Sequence, residues 1–383
     1  KYVKEHSKIE FGETNYEYRI KNIYNRTILL YPLLYNQKTG GIAAAMEVDE
    51  NKTRCGRYAY SWPRDAAFIT TALDLLNMNK ETEKFYKNFC KNTQNRNGMW
   101  EQRFYTDGRL ASSWGYQIDE TASVIYGVYN HYLNTKDLKF IKDNFKMLEK
   151  ATKYLEQYMD KILKNEKLDK MSYDLWEMHE GISLYSIASI FAGFNAMIDI
   201  DELMVNEFNN NRLKQNEIRE QKERLQDKII KIKEYIVNNF YDEDKKNYRR
   251  NLEDDKLDIS ILGTIYPFNV FSPKEKKIEN TIERINMTLR TYTGGYLRFE
   301  NDHYTQDRPW VITTLWMALY YIEVGKIKEA KECFDFVVNS QSPYGFLAEQ
   351  VDNSRMEPAW VIGLGWSHAM FVIVLDKLKK IES

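Results

Sequence analysis

Residues 174–206 read DLWEMHEGISLYSIASIFAGFNAMIDIDELMVN. The first eight positions hold three carboxylates, a tryptophan, a histidine and a closing glycine; from Ser183 onward apolar residues occupy almost every face of a 3.6-residue helix. A helix that is apolar all round has no solvent side and belongs in the interior of a helical protein. Its polar preface must then sit at the mouth of a core. The same two-part pattern recurs along the chain. Tyr58–Asp65 (YAYSWPRD) precedes AAFITTALDLL, and Trp114–Glu120 (WGYQIDE) precedes TASVIYGVY. Arg298–Trp310 (RFENDHYTQDRPW) precedes VITTLWMALYYI, and Ala348–Trp360 (AEQVDNSRMEPAW) precedes VIGLGWSHAMFVIVL.

Between these apolar helices lie charged ones with a single apolar stripe. Phe145, Leu148, Ala151, Tyr154, Leu155 and Tyr158 make one stripe, and Leu225, Ile229, Ile232, Ile236 and Phe240 another. Periodicity and chain breakers predict about twelve helices. A moderately polar one spans 14–33, followed by apolar 64–78, charged 80–93, apolar 117–134 and charged 137–164. Apolar 183–206, charged 212–240 and a short apolar element at 258–266 come next. Charged 275–290, apolar 309–324, charged 326–340 and apolar 358–379 complete the chain. Six one-sided helices alternating with six apolar ones predict two concentric rings, an all-α (α/α)6 barrel with six inner and six outer helices. The competing arrangement, an α-solenoid, needs short and similar turns with a recognisable repeat. Here the charged-to-apolar connections at 94–117, 165–182 and 341–357 are long and unequal, and long ordered connections are usually functional. With no Gly/Pro-rich linker or low-complexity tract, the expectation is a lead-in at 1–12 and one barrel domain over 13–383.

The 383 residues are 43% hydrophobic and 29% charged with a formal net charge of −1. Interleaved signs at near-neutral charge offer no footprint for nucleic acid or an anionic membrane. No apolar run reaches the roughly 20 residues of a membrane span. Cys55, Cys90 and Cys333 are too far apart for a zinc motif and odd in number, and read as free thiols of a reducing compartment. Without a signal peptide at Lys1, a cytoplasmic location is expected rather than a secreted one. His179, His303 and His368 lack metal-site spacing, and Asp242-x-Asp244 starts like a calcium loop but lacks its remaining ligands. No metal or cofactor is expected.

If the apolar helices stand side by side, carboxylates and aromatic faces scattered over some 300 residues converge on one pocket that suits a sugar. Pro63 at a first helical position holds Trp62 extended and sets Arg64 and Asp65 at a helix mouth; taken alone, this fits an ordinary exposed cap beside a packed tryptophan better than a site. In DLWEMHEG, like-charge neighbours and burial would raise a carboxyl pKa, as a general acid at neutral pH requires. Glu349 lies in another such loop, far downstream. Two carboxylates remote in sequence yet both at apolar-helix mouths suit opposed faces of one glycosidic bond, one as acid and one as base. Trp114, Tyr116, Trp310 and Trp366 supply flat faces, and Arg298 a second fixed cation.

At this point several ordered motifs resemble glycoside hydrolase family 15, the glucoamylase family. They are GGIAAAMEVD (40–49), YAYSWPRDAAF, WGYQIDE, DLWE followed by EG, DISILGTIYPF, GGYLRFENDHY with RPWVITTLWMAL, FLAEQVD and GWSHAMF. The resemblance spans nearly the whole chain and implies an (α/α)6 barrel. It also implies inverting release of β-glucose from the non-reducing ends of α-glucans or α-gluco-oligosaccharides. By motif, Glu177 corresponds to the general acid and Glu349 to the base. Tyr58, Trp62, Arg64, Asp65 and Arg298 correspond to the terminal-glucose subsite, and Trp114 to the cover of the scissile bond. Trp176, Trp310 and Gln350 are further lining candidates.

The chain departs from the family where Met178 and His179 follow the acid, since a second Glu often stands there. That position holds the leaving-side sugar, so linkage preference is open, and a trehalase or an α-1,6-acting glucodextranase-like enzyme is the alternative. A helical carbohydrate-binding protein without turnover is the non-enzyme reading. Bacterial relatives carry an amino-terminal β-sandwich, and no stretch of this sequence reads as one; such a domain, missing from this chain, is carried as an expected companion.

Overall fold

The computed structural model describes residues 1–48, 56–113, 115–208, 211–302, 304 and 308–382. Cys55, His303 and Trp114 therefore lie outside the described residues. A short α1 (Tyr2–His6) occupies the lead-in and is tied to the body by His6 Nδ1, 3.2 Å from the Leu76 carbonyl. After α2 (Asn15–Leu34) and α3 (Pro63–Leu75), α4 (Asn79–Lys84) runs through a π-helical segment, Phe85–Cys90, into α5 (Lys91–Thr93). Then come α6 (Asp119–Thr135), α7 (Leu138–Leu163), α8 (Leu184–Glu207) and α9 (Arg212–Phe240). A hairpin of β1 (Tyr241–Asp242) and β2 (Asn247–Tyr248) and a 3-10 turn, Ile259–Thr264, lead to α10 (Lys276–Thr288), α11 (Val311–Glu323) and α12 (Ile327–Asn339). A second hairpin of β3 (Val351–Asp352) and β4 (Glu357–Pro358) precedes α13 (Gly365–Glu382).

The apolar helices form the inner ring. Going round it, α3 packs on α6, α6 on α8, α8 on the 3-10 turn, the turn on α11, α11 on α13, and α13 back on α3. That last contact closes the circle and excludes an open solenoid. The outer layer is one-sided, as the stripes require: α7 buries Phe140, Phe145, Leu148, Leu155 and Ile162, and α9 buries Ile218, Leu225, Ile232, Ile236 and Phe240. The fold is the (α/α)6 barrel that the alternation predicts.

Three local expectations need correction. The element at 258–266 is a single 3-10 stretch, held by Asp258 Oδ1 accepting from the Ser260 amide at 2.7 Å. It still fills the fourth inner position. The last apolar helix starts at Gly365 and not at 358, because Pro358 closes the β3–β4 hairpin in extended pairing with Val351. The lead-in contains a helical turn. Asp242 ends β1, and its Oδ1 accepts from the amides of Asp244 and Lys245 in the turn that follows. Cys90 and Cys333 are buried free thiols. No described helix is long and apolar enough to cross a membrane.

Candidate active site

The loops ahead of the inner helices are stitched edge to edge by backbone hydrogen bonds. Ser61 N–H donates to Phe104 O (2.7 Å), and Tyr173 N–H to Tyr116 O (2.7 Å). Leu184 N–H reaches Arg250 O (2.9 Å), Ile259 N–H reaches Arg298 O (2.8 Å) and Val311 N–H reaches Glu349 O (3.0 Å). Gly365 N–H closes the belt on Ala44 O at 2.8 Å. Segments hundreds of residues apart thereby hold one rim. Inside it lies a cavity of about 490 Å³, within the range of roughly 300–1,000 Å³ usual for small-molecule sites. Tyr58, Trp62, Arg64, Asp65, Trp176, Glu177, Arg298, Trp310 and Glu349 all line it.

Glu177 stands in a tight turn with φ +60°, a left-handed conformation that a glutamate adopts only when its surroundings impose it. Asp174 imposes it. Its carbonyl accepts from the Glu177 amide at 3.0 Å, and its Oδ1 accepts from the amides of Met178 (2.9 Å) and His179 (3.3 Å). Gly181 (φ +148°) then turns the chain beneath Asn251, whose side chain a Cβ there would meet at 2.3 Å. Glu177 is raised above the ordinary glutamate range, first by burial and also by Asp65. Arg64, the Trp62 hydrogen bond and Arg103 work the other way. The repelling carboxylate is Asp65, in the first turn of α3; Asp174, expected to repel, is taken up with backbone amides, and Glu180 is exposed.

Glu349 is 3% exposed and pushed up to about 7 by burial, against the lowering effects of Tyr58, Arg298 and Gln350. Tyr58 Oη donates to its Oε1 at 2.7 Å, and Gln350 Nε2 donates to its Oε2 at 3.1 Å. Arg64 is buried between three carboxylates: Asp65 at 3.1 Å, Asp119 at 3.2 Å and Glu120 at 3.2 Å. Its amide also donates to Glu120 Oε2 at 2.6 Å.

Comparisons with known proteins bear on the family and the fold. The sequence profile of Glycosyl hydrolases family 15 matches residues 19–376. The chain belongs to that family. It is 28% identical over 381 residues to an uncharacterized glycosyl hydrolase of Methanocaldococcus jannaschii, covering 95% of this chain and 57% of the relative. It is 22% identical over 275 residues to Trehalase 1 of Sulfolobus acidocaldarius, covering 70% of this chain and 42% of the trehalase. The chain thus spans about half the length of the curated relatives it matches. In fold it is similar to the glucoamylase of Saccharomycopsis fibuligera, with a TM-score of 0.76 at 13% identity, covering 99% of this chain and 98% of that one.

Within this family 15 barrel, two expected residues behave differently from the reading of their types. Gln350 is fully buried behind Glu349 and is not part of the cavity wall. It pairs with Trp310 in a β-bridge, and alternation along an extended strand sends neighbouring side chains to opposite sides. Arg64, expected in the wall of the terminal-glucose subsite, lines the cavity but has both terminal nitrogens on carboxylates. Arg298 is likewise held, by Asp302 with two bonds of 2.8 Å, and faces the rings of Trp310 (4.5 Å), Phe299 (4.9 Å) and Tyr304 (5.1 Å). Trp176 hangs its indole N–H on Asp258 at 3.1 Å. Trp366, noted only as a flat face, lines the wall and stacks on Phe68 at 4.7 Å.

Other family 15 wall residues had no distinguishing signal. Tyr60, Arg103, Tyr105 and Tyr304 line the cavity, and a single tyrosine or arginine in a loop looks like any other. Asp119 and Glu120 did carry one: adjacent acids in the first turn of an apolar helix have to be compensated once the helix is buried.

Proposed function

We propose that this family 15 glycosidase removes terminal glucose from the non-reducing ends of α-glucans or α-gluco-oligosaccharides with inversion, Glu177 acting as general acid and Glu349 as general base. The observation that carries the assignment is the contrast in how the two carboxyls are satisfied. Trp62 Nε1 can only donate, so Glu177 Oε1 at 2.7 Å accepts, and a proton on this group belongs on Oε2. Burial shifts this carboxyl towards its neutral form, which is the form that can protonate a leaving oxygen. Both oxygens of Glu349 receive donors, which is the arrangement of a carboxylate. Each still has a lone pair for a water proton, and a pKa near neutrality makes it a stronger base than an exposed glutamate. Tyr58, Trp62, Asp65 and Arg298 form the subsite for the terminal ring, Trp176 and Trp310 line it, and Gln350 orients the base. Trp114 is assigned the scissile-bond cover on its motif. Hydrolysis of maltose, maltotriose and soluble starch, with the first anomer read by proton NMR, tests this. Initial β-glucose supports it and α-glucose overturns it.

A second reading has a specific observation behind it. Met178, 46% exposed, lines the cavity next to Glu177. An apolar side chain there offers a leaving sugar no charged partner, and two curated relatives are named trehalases. Release of glucose from trehalose or isomaltose, with none from maltose or starch, would select the trehalase or α-1,6-glucosidase reading.

A further inference from the structure

The floor of the cavity holds more acid than the proposed reaction uses. Asp119 and Glu120 are the first two residues of α6, fully buried, and both meet Arg64. The Glu120 carboxylate meets Arg64 twice: Oε1 pairs with the guanidinium and Oε2 accepts from the Arg64 backbone amide. Asp65 completes a group of three carboxyls around one guanidinium. Tyr185 from α8 bears electrostatically on the same group, and the Trp366 ring of α13 lies under the guanidinium at 5.7 Å. Among the described residues, Arg64 Nε, Asp119 Oδ1 and the Tyr185 hydroxyl are buried there without a hydrogen-bond partner of their own. Above the floor the same pair meets the two proposed catalytic groups: Asp65 pushes up both Glu177 and Glu349, and Arg64 pulls Glu177 down. The other charges reaching those groups are Arg103 for Glu177, and Arg298 and the Tyr58 hydroxyl for Glu349.

We propose that Asp119 and Glu120 are positioning residues: they fix the Arg64–Asp65 ion pair in the cavity floor so that Arg64 bears on Glu177 and Asp65 on both Glu177 and Glu349. The proposal rests on the acid and base roles given above. A guanidinium without α6 would pair with Asp65 alone, and its long side chain would be free to rotate. Two bonds from adjacent acids at a helix start leave one geometry, because the helix backbone fixes both Cβ directions. Three ionised carboxylates around one cation would leave buried charge uncompensated, so the group retains protons, and Glu120 is the member most strongly shifted towards its neutral form, by burial first.

The test uses Asp119→Asn, Glu120→Gln and Glu120→Ala in the full chain, each checked for folding by circular dichroism and thermal melting. Turnover is followed on whichever disaccharide the wild type cleaves fastest. Asp119→Asn leaves the Arg64 charge less cancelled, which favours the ionised form of Glu177 above it. The alkaline limb of the kcat/KM–pH profile, set by Glu177, should move down by about half a pH unit, and KM should rise about tenfold as the floor loosens. Glu120→Ala should lower kcat/KM about a hundredfold, and Glu120→Gln, which keeps the oxygen that accepts from the Arg64 amide, only about threefold. A role confined to stability would lower the melting temperature and leave the pH limbs in place. The proposal is overturned by a folded Asp119→Asn with an unaltered alkaline limb and KM, or by equal losses in the two Glu120 variants. Glu177→Gln and Glu349→Gln separate the two levels. If both abolish turnover while Asp119→Asn is unaltered, only the positioning proposal falls; if both turn over normally, the catalytic reading falls.

Discussion

The indole N–H of Trp62 lies 2.7 Å from Glu177 Oε1, although 115 residues separate the two in sequence. The bond favours the ionised glutamate, whereas burial favours the protonated one and prevails. Trp62→Phe removes the donor and keeps the flat face. The Glu177 pKa should then rise further, and the alkaline limb of kcat/KM should move up by about half a pH unit to one unit. An unmoved or lowered limb, read from the pH–rate profile, would remove Trp62 from control of the acid.

Replacing the acid itself has a sharper expected outcome. Glu177→Gln keeps the acceptor for Trp62 and removes the proton donor. Because proton transfer matters in the transition state, kcat should fall by about 10²–10⁴ while KM changes little. Steady-state kinetics on the best disaccharide decides it. A variant with near wild-type kcat moves the acid role to another residue.

On the opposite wall, Tyr58→Phe takes one donor from Glu349. That bond lowers the Glu349 pKa from where burial alone would put it. Its loss should raise the pKa above about 7 and shift the acid limb of activity upward, so the variant loses most at low pH and recovers as pH rises. An acid limb displaced downward would contradict the base assignment.

The Arg298–Asp302 pair is buried at both ends, with side chains 3% and 2% exposed. Asp302→Ala leaves a buried guanidinium without its two-bond partner, and stability should drop by about 3–5 kcal/mol. Arg298→Met/Asp302→Leu removes both charges and should lie closer to wild type in stability while losing sugar binding. Urea unfolding of the single and double variants provides the comparison; equal destabilisation would deny the coupling.

Away from the cavity, Asp201 in α8 is fully buried, meets Gln221 Nε2 at 3.1 and 3.0 Å, and is pushed up to about 7 by burial. A carboxyl with a raised folded pKa binds its proton more tightly in the native state. Its ionisation therefore costs stability as pH climbs from the ordinary aspartate range to about 7, and the cost is constant above. Asp201→Asn should be more stable than wild type by about 1–3 kcal/mol at pH 8 and no different near pH 3.5. Thermal melts at the two pH values check both halves.

Much of the barrel was legible because burial is written in periodicity. The all-round apolar pattern of 183–206 and the single stripe of 137–164 assign inner and outer layers without any coordinates. The pattern faded where local hydrogen bonding set the conformation. The turn at 259–264 is too short to show a helical period, and Pro358 sits beside apolar residues that read as helix until the hairpin pairing with Val351 is seen. In the site, aromatic and acidic residues just ahead of apolar helices were legible by position, which found Trp62, Glu177 and Glu349. Gln350 could not be separated from a lining residue, because the side of an extended strand depends on its partner.

The amino-acid order alone determined the layering, the place of the mouth and the set of acids available there, since each follows from hydrophobic period and helix-start chemistry within some twenty residues. Tertiary structure alone decided which charges act on which. That Asp65 bears on Glu177, that Asp119 and Glu120 fill the Arg64 fork, and that Tyr58 joins the adjacent Gln350 in tuning Glu349 all depend on how the ring brings separate loops together. Electrostatic coupling falls with distance through space, and distance in a closed ring bears no relation to distance along the chain.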